Sequence, residues 1–263
     1  MRSFERSSAG ITKRRRVRPQ RMGEVVASSL RDAILRGELT VLPRLEDLTE
    51  QFNVGPPAVR EAMRILETEG LITMRRGNVG GAHVHLPTSE GVAYMVSLVL
   101  QSKSIEVRDV GAALRQLEPL CAAMCAALPD RNKTVVPALR KLVEEQADAI
   151  GDGPRTRDVI DRFHRTIVTG CGNETLVLMV GALELVWAGH ASAVYDREEF
   201  DEPDIALWKA SVRDHERLVE AIAKGDSKVA GLSLKHLEAT QAYMSNLDDR
   251  RMVTAAATAA VTH

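Results

Sequence analysis

The chain has 263 residues, with 35 Lys/Arg against 36 Asp/Glu, 44% apolar residues and only 3% aromatics. That length admits two domains or one large one, and the shortage of aromatics asks for a core of Leu, Val, Ala, Ile and Met, which suits packed helices better than a β-sandwich. Near neutrality hides an asymmetry: residues 1–86 carry 15 Lys/Arg against 10 Asp/Glu, the remainder 20 against 26, so an anionic partner belongs to the first part.

Residues 1–19 read as a disordered basic arm, whose Lys13, Arg14, Arg15, Arg16 and Arg18, with Arg21 just beyond, supply most of that excess. No apolar stretch follows them, so no signal peptide is read. The best membrane candidate, Leu176 to Trp187, is short for a bilayer and interrupted by Glu184. The expected location is the cytoplasm, away from membranes, with Cys121, Cys125 and Cys171 as buried free thiols.

From Arg21 to Gly37, Val25, Val26, Leu30, Ala33 and Ile34 recur at helical spacing, and Gly37 is placed to end the helix. A second short helix fits Leu45 to Phe52, and Asn53-Val54-Gly55 makes a tight turn. A third helix runs from about Pro57, where proline suits a first turn, to Glu69, with Val59, Ala62, Met63 and Leu66 inward. Leu71 to Arg75 and Ala82 to Leu86, around Gly77, Gly80 and Gly81, read as a β-hairpin. Helix, helix, turn, helix and ribbon is the order of a winged helix-turn-helix over residues 20–86. Such a domain lays its third helix in the major groove of double-stranded DNA and its hairpin against neighbouring phosphates.

The run Val54 to Ile72, with Val59-Arg60-Glu61-Ala62 and Leu66-Glu67-Thr68-Glu69-Gly70-Leu71-Ile72, resembles the GntR family of bacterial regulators, as does Arg75-Arg76-Gly77 followed by Gly80-Gly81. The resemblance implies that Arg60 contacts DNA from the recognition helix and that Arg75, Arg76 and Gly77 form the wing. Two positions depart from the pattern. Gly55-Pro56 stands where a Ser-Arg pair usually opens the recognition helix, and Glu46 where many members carry another arginine. DNA affinity then leans on Arg44, Arg64, the wing and the arm. The plain alternatives are an ion pair of Arg60 with Glu61 or Glu67 and a merely solvated Arg64.

Pro87-Thr88-Ser89-Glu90 reads as a linker entering a helix cap. Helical periodicity then continues over 88–102, 106–128, 132–150, 155–170, 173–194, 203–224 and 226–247, an all-α bundle of about seven helices that makes the fold class mainly α. Residues 87–250 are assigned to effector binding and dimerisation, and 251–263, mostly Ala and Thr, to a disordered tail. The bundle resembles the FCD ligand-binding domain of the FadR-like subfamily through Arg115 to Pro119, Phe163-His164-Arg165, Gly172-Asn173, Asp214 to Ile222 and Gly225 to His236.

His215 and His236 fall on successive helices that antiparallel packing would bring level, with His164 on an earlier one. Three such imidazoles and a carboxylate suit Zn²⁺, Ni²⁺ or another divalent ion. The resemblance implies an Asp four residues before His164, where this chain has Ile160; Asp161, on nearly the same helical face, is the substitute. The alternative is polar histidines lining a pocket. Arg115 is read as binding an effector carboxylate, or as ion-paired with Glu118. Asn173 resembles a pocket-lining asparagine, or caps the next helix. Together these readings imply a homodimeric, ligand-responsive transcriptional regulator that binds a palindromic operator, most simply a repressor, with an organic acid or acyl-type metabolite as effector and no catalytic role. The alternatives are an effector-free architectural DNA binder and a metal-dependent hydrolase.

Overall fold

The computed structural model describes residues 22–74, 82–195, 205–248 and 251–262. The chain divides after Pro87 into two compact units.

In the first unit, α1 (Met22–Leu35), α2 (Leu45–Phe52) and α3 (Pro56–Thr68) precede β1 (Ile72–Met74) and β2 (Ala82–Val84). The strands are antiparallel with Ile72 opposite Val84, and Val41 adds a bridge to His83. Each helix turns a stripe of apolar residues inward at helical spacing: Val26, Leu30 and Ile34 from α1, Leu48 from α2, Val59, Ala62, Met63 and Leu66 from α3. Ile34, Leu48 and Leu66 are fully enclosed, so truncating any one to Ala costs about 2–5 kcal/mol. The turn between α2 and α3 depends on Asn53, whose φ of 50° is the left-handed conformation that asparagine tolerates better than most residues. Gly55, by contrast, caps α3 at an ordinary φ of −71°, followed by prolines in the first turn. Two close contacts fix α1 against α3. A side chain on Gly23 would collide with Glu61, and Arg31 grips Glu69 with two nitrogens, Nε to Oε2 at 2.8 Å and Nη2 to Oε1 at 2.5 Å.

The second unit is all α: α4 (Ser89–Ser102), α5 (Val107–Ala127), α6 (Val135–Ala149), α7 (Gly153–Thr169), α8 (Glu174–Tyr195), α9 (Ile205–Lys224), α10 (Val229–Asp248) and α11 (Ala255–Thr262). Thr88 caps α4 by accepting from the Gly91 amide, and Asp152 caps α7 by accepting from that of Arg155. One core joins α5 to α9, built from Leu114, Leu139, Phe163, Ile167, Val186 and Ile222 among others, with all three cysteines buried as free thiols.

Two expectations change here. The described residues of the C-terminal segment are ordered rather than a disordered tail. Alanine is the strongest helix former, and the small side chains let α11 lie close on α8. At Gly189 an added side-chain carbon would sit 2.4 Å from the carbonyl of Ala257. Val253 and Thr258 are fully enclosed. The apolar stretch in α8 is also longer than read: Glu174–Ser192, 19 residues, is long and apolar enough to cross a membrane by length and composition. Yet this helix packs against α4, α5, α7 and α11, and it carries Glu184 with both oxygens buried.

Candidate functional site

In the first unit, Arg60 and Arg64 stand one turn apart on the exposed face of α3. Among the described residues neither is held by an ion pair, so the partners Glu61 and Glu67 considered for Arg60 do not engage it. Both guanidiniums are free for phosphate or base edges. Arg44 is exposed at the N-terminus of α2, where its backbone N–H donates to Asp47 at 3.3 Å. Gly55 is exposed at the N-cap of α3. Arg75, Arg76 and Gly77 lie outside the described residues.

The second unit holds a cavity of about 380 Å³, walled by Leu114 and Glu118 of α5, Ile160, Asp161, His164 and Arg165 of α7, Glu184 and Trp187 of α8, and Leu237 and Gln241 of α10, among others. That volume is within the range of small-molecule sites. His164, His215 and His236, from α7, α9 and α10, converge at this end of the bundle, with one nitrogen from each within 4.8 Å of the others. Each ring is fixed by a distinct partner. His215 is enclosed, stacks on Phe163 with ring centroids 3.8 Å apart, and donates Nδ1–H to Gln146 Oε1 at 2.7 Å. Gln146 in turn donates to Ser211 at 3.2 Å. His236 turns Nδ1 toward Asp214, 3.8 Å away. The two Nε2 atoms consequently face each other at 3.0 Å. With the His215 Nδ1–H given to Gln146, its Nε2 presents a lone pair, which either an Nε2–H of His236 or a bound cation can meet. Burial, with His164 adding, lowers the pKa of both rings, keeping them neutral and able to ligate.

His164 is held differently. Burial opposes its charging, but the Glu118 carboxylate, 2.5 Å from its Nδ1, prevails with help from Glu184 and Asp161, and the ring is lifted to about 9. A carboxylate behind a ligating imidazole is the arrangement that orients such rings toward a metal. The three imidazoles make a donor set suited to a divalent cation, which to be held by all three must displace the second proton that Glu118 favours on His164. Asp161 lines the same cavity, one turn before His164, but does not join the three-nitrogen cluster.

Two candidates lie elsewhere. Arg115 donates to Gln241, not to Glu118, and faces a separate shallow depression with Glu106 and Asp109. Asn173 is exposed and caps α8, accepting from the amides of Thr175 and Leu176 at 3.1 Å each. The sequence reading missed Gln146 and Asp214 as partners of the imidazoles, and Glu184 as part of the cavity wall. Gln146 was detectable, since it continues the buried stripe Leu139, Leu142, Val143 of α6. Glu184 was detectable as the lone charge within an apolar run.

Residues 22–82 match the family described as bacterial regulatory proteins, gntR family, and residues 109–239 match the FCD domain, together nearly three quarters of the chain. The HTH-type transcriptional repressor NanR of Citrobacter rodentium is 28% identical over 250 residues, 90% of this chain and 92% of that protein. The Exu regulon transcriptional regulator of Escherichia coli K12 is 26% identical, over 87% of this chain and 86% of that protein. A solved structure, Streptococcus agalactiae GntR, superposes with a TM-score of 0.63 at 22% identity, covering 84% of this chain and 99% of that one.

Proposed function

The chain belongs to the GntR family of bacterial regulators, with an FCD domain behind its DNA-reading domain, and on that premise we propose that it is a homodimeric repressor whose operator affinity is set by a small organic acid bound in the FCD cavity. The observation that carries the reading is the cavity itself. A bundle built only for dimerisation has no need of a polar chamber lined by Arg165, Glu184 and His164, with two further imidazoles buried beside His164. In the absence of effector, two α3 helices read the half-sites of a palindrome through Arg60 and Arg64, with Arg44 and the wing residues Arg75 and Arg76 on phosphates. His164, His215 and His236 would hold a divalent cation such as Zn²⁺ or Ni²⁺, with Asp161 of the same cavity wall as the candidate carboxylate in place of the one absent at Ile160. Bound there, a divalent cation would supply Lewis acidity suited to an anionic effector. The protein's own part is to orient the rings through Glu118, Gln146 and Asp214 and to present Arg165 to the ligand's charge. An effector controls DNA affinity only if it binds one arrangement of the dimer better than the other. Outward apolar residues support pairing with a second copy: Met95, Leu98 and Val99 on α4, and Leu178 and Met179 on α8, are all exposed.

The test is operator binding by the purified full-length protein at fixed salt, across a panel of short organic acids. Specific binding relieved by at least one acid is the expected result. Absence of specific DNA binding both with and without ligand overturns the regulator reading.

A further inference from the structure

We propose that Pro56 and Pro57 read the C5 methyl group of a thymine, so that each operator half-site carries one base chosen by carbon contact and not by hydrogen bonding. This rests on the reading of α3 as the DNA-recognition helix and deepens it by assigning that base. Pro56 and Pro57 open α3 and are exposed, as are Arg60 and Arg64 further along it. Spacings of three and four residues set the two prolines on the face that carries both arginines. A helix of this kind touches base edges with the residues at its beginning, so the proline rings belong to the part that enters the groove.

From Gly55 to Ala58 no side chain can donate or accept a hydrogen bond, and none is charged. The backbone adds nothing at these positions. Neither proline has an N–H, and the Ala58 amide donates to the Gly55 carbonyl at 3.0 Å. A phosphate oxygen set against residues 56 to 58 therefore finds no donor. Polar base edges fare no better. Guanine, adenine and cytosine show ring nitrogens, carbonyls or amino groups in the major groove, and any of these covered by a pyrrolidine ring gives up its water for no bond. Thymine adds a methyl group, the base-edge feature that a carbon surface complements. The proline rings are already rigid, so holding them there costs almost no side-chain entropy. One helical turn advances about 5.4 Å and one base pair about 3.4 Å, which puts the thymine within about two base pairs of the base read by Arg60.

The experiment selects binding sites for the full-length protein from a random pool of double-stranded DNA. Each thymine of the selected half-site is then replaced in turn by deoxyuridine, which keeps every hydrogen-bonding atom and removes only the methyl group. At one thymine, within about two base pairs of the position whose preference Arg60→Ala relaxes, this should weaken binding about fourfold per half-site, the loss expected for one buried methyl group. At the same position 5-methylcytosine should bind more tightly than cytosine. A variant carrying Pro56→Ser and Pro57→Ser should bind the thymine and deoxyuridine sites equally and keep the preference that depends on Arg60. If the double variant loses its helical signal, Pro56→Ser and Pro57→Ser are compared singly.

A selected half-site without thymine, or one indifferent to deoxyuridine at every thymine, overturns the proposal with no protein variant needed. A deoxyuridine effect of the same size in the folded serine variants also overturns it, because the methyl group then belongs to another residue. Enrichment of no sequence at all strikes at the regulator reading itself. An enriched site without methyl dependence leaves that reading standing and removes the proline proposal alone.

Discussion

Arg60 is exposed and unpaired in a domain whose core lies on the other face of its helix, so its removal touches DNA binding and little else. Arg60→Ala should lower specific operator affinity about tenfold or more, the order of 1–3 kcal/mol for a lost base contact. Its unfolding temperature should stay near wild type, since exposed substitutions usually change stability by about 0.5 kcal/mol or less. Retained affinity in a gel-shift titration would remove Arg60 from the recognition surface. The imidazoles answer to a different measurement. Dialysed wild-type protein should carry close to one divalent ion per chain by elemental mass spectrometry, and His236→Ala should lose it; a sub-stoichiometric wild type would be evidence against the metal. At this scale the sequence is a partial guide. The three histidines were found because their spacing on successive helices is visible in the chain. Their partners were not, because Glu118, Gln146 and Asp214 meet them only through packing between helices. The alternative of an Arg115–Glu118 ion pair fails for the same reason: a one-turn spacing suggests it, whereas the tertiary contact is with Gln241 on α10.

Helices were the most legible level, since Leu30, Ile34, Leu66 and Leu139 mark inward faces by period alone. The exception is α11. Its Ala-rich sequence has no contrast between faces, so periodicity gives no sign that it is anchored, and the anchor is a neighbour 64 residues away in the chain. His190 on α8 gives Nδ1–H to the carbonyl of Val186 at 2.7 Å and accepts from the backbone amide of Thr254 at 2.9 Å. The bond from Thr254 requires the neutral ring, since only an unprotonated Nε2 can accept, and burial, with Arg251 adding, holds its pKa below the ordinary 6.5. The sign follows directly. The unfolded chain takes up the proton first, so this contribution is complete above 6.5 and is lost as pH falls toward the depressed value. Amide exchange over Thr254–Thr262, corrected for intrinsic rates, should therefore show protection falling between pH 7 and pH 5. Constant protection across that range would mean that the imidazole is not what fastens α11.

For the molecule as a whole, charge asymmetry and domain order were readable from composition, because a basic N-terminal third and an acidic remainder are sums that no packing detail alters. The outward apolar surface was not, since Met95, Leu98 and Val99 on α4 look like core residues in the sequence and are exposed in the folded chain. Light scattering should give twice the 28.8 kDa chain mass for wild type and about the chain mass for Leu98→Asp, with loss of tight binding to a palindromic site. A monomeric wild type at micromolar concentration would defeat the dimer reading. A last consequence follows from the contacts between α1 and α3. With Gly23 pressed against Glu61 and Arg31 clasping Glu69, the recognition helix has no slack of its own. The reading head is stiff, so a metabolite cannot retune which bases it prefers. In the proposed dimer an effector would then alter only the spacing at which two unchanged heads are offered to the groove, and induction should weaken binding to every operator variant by the same factor.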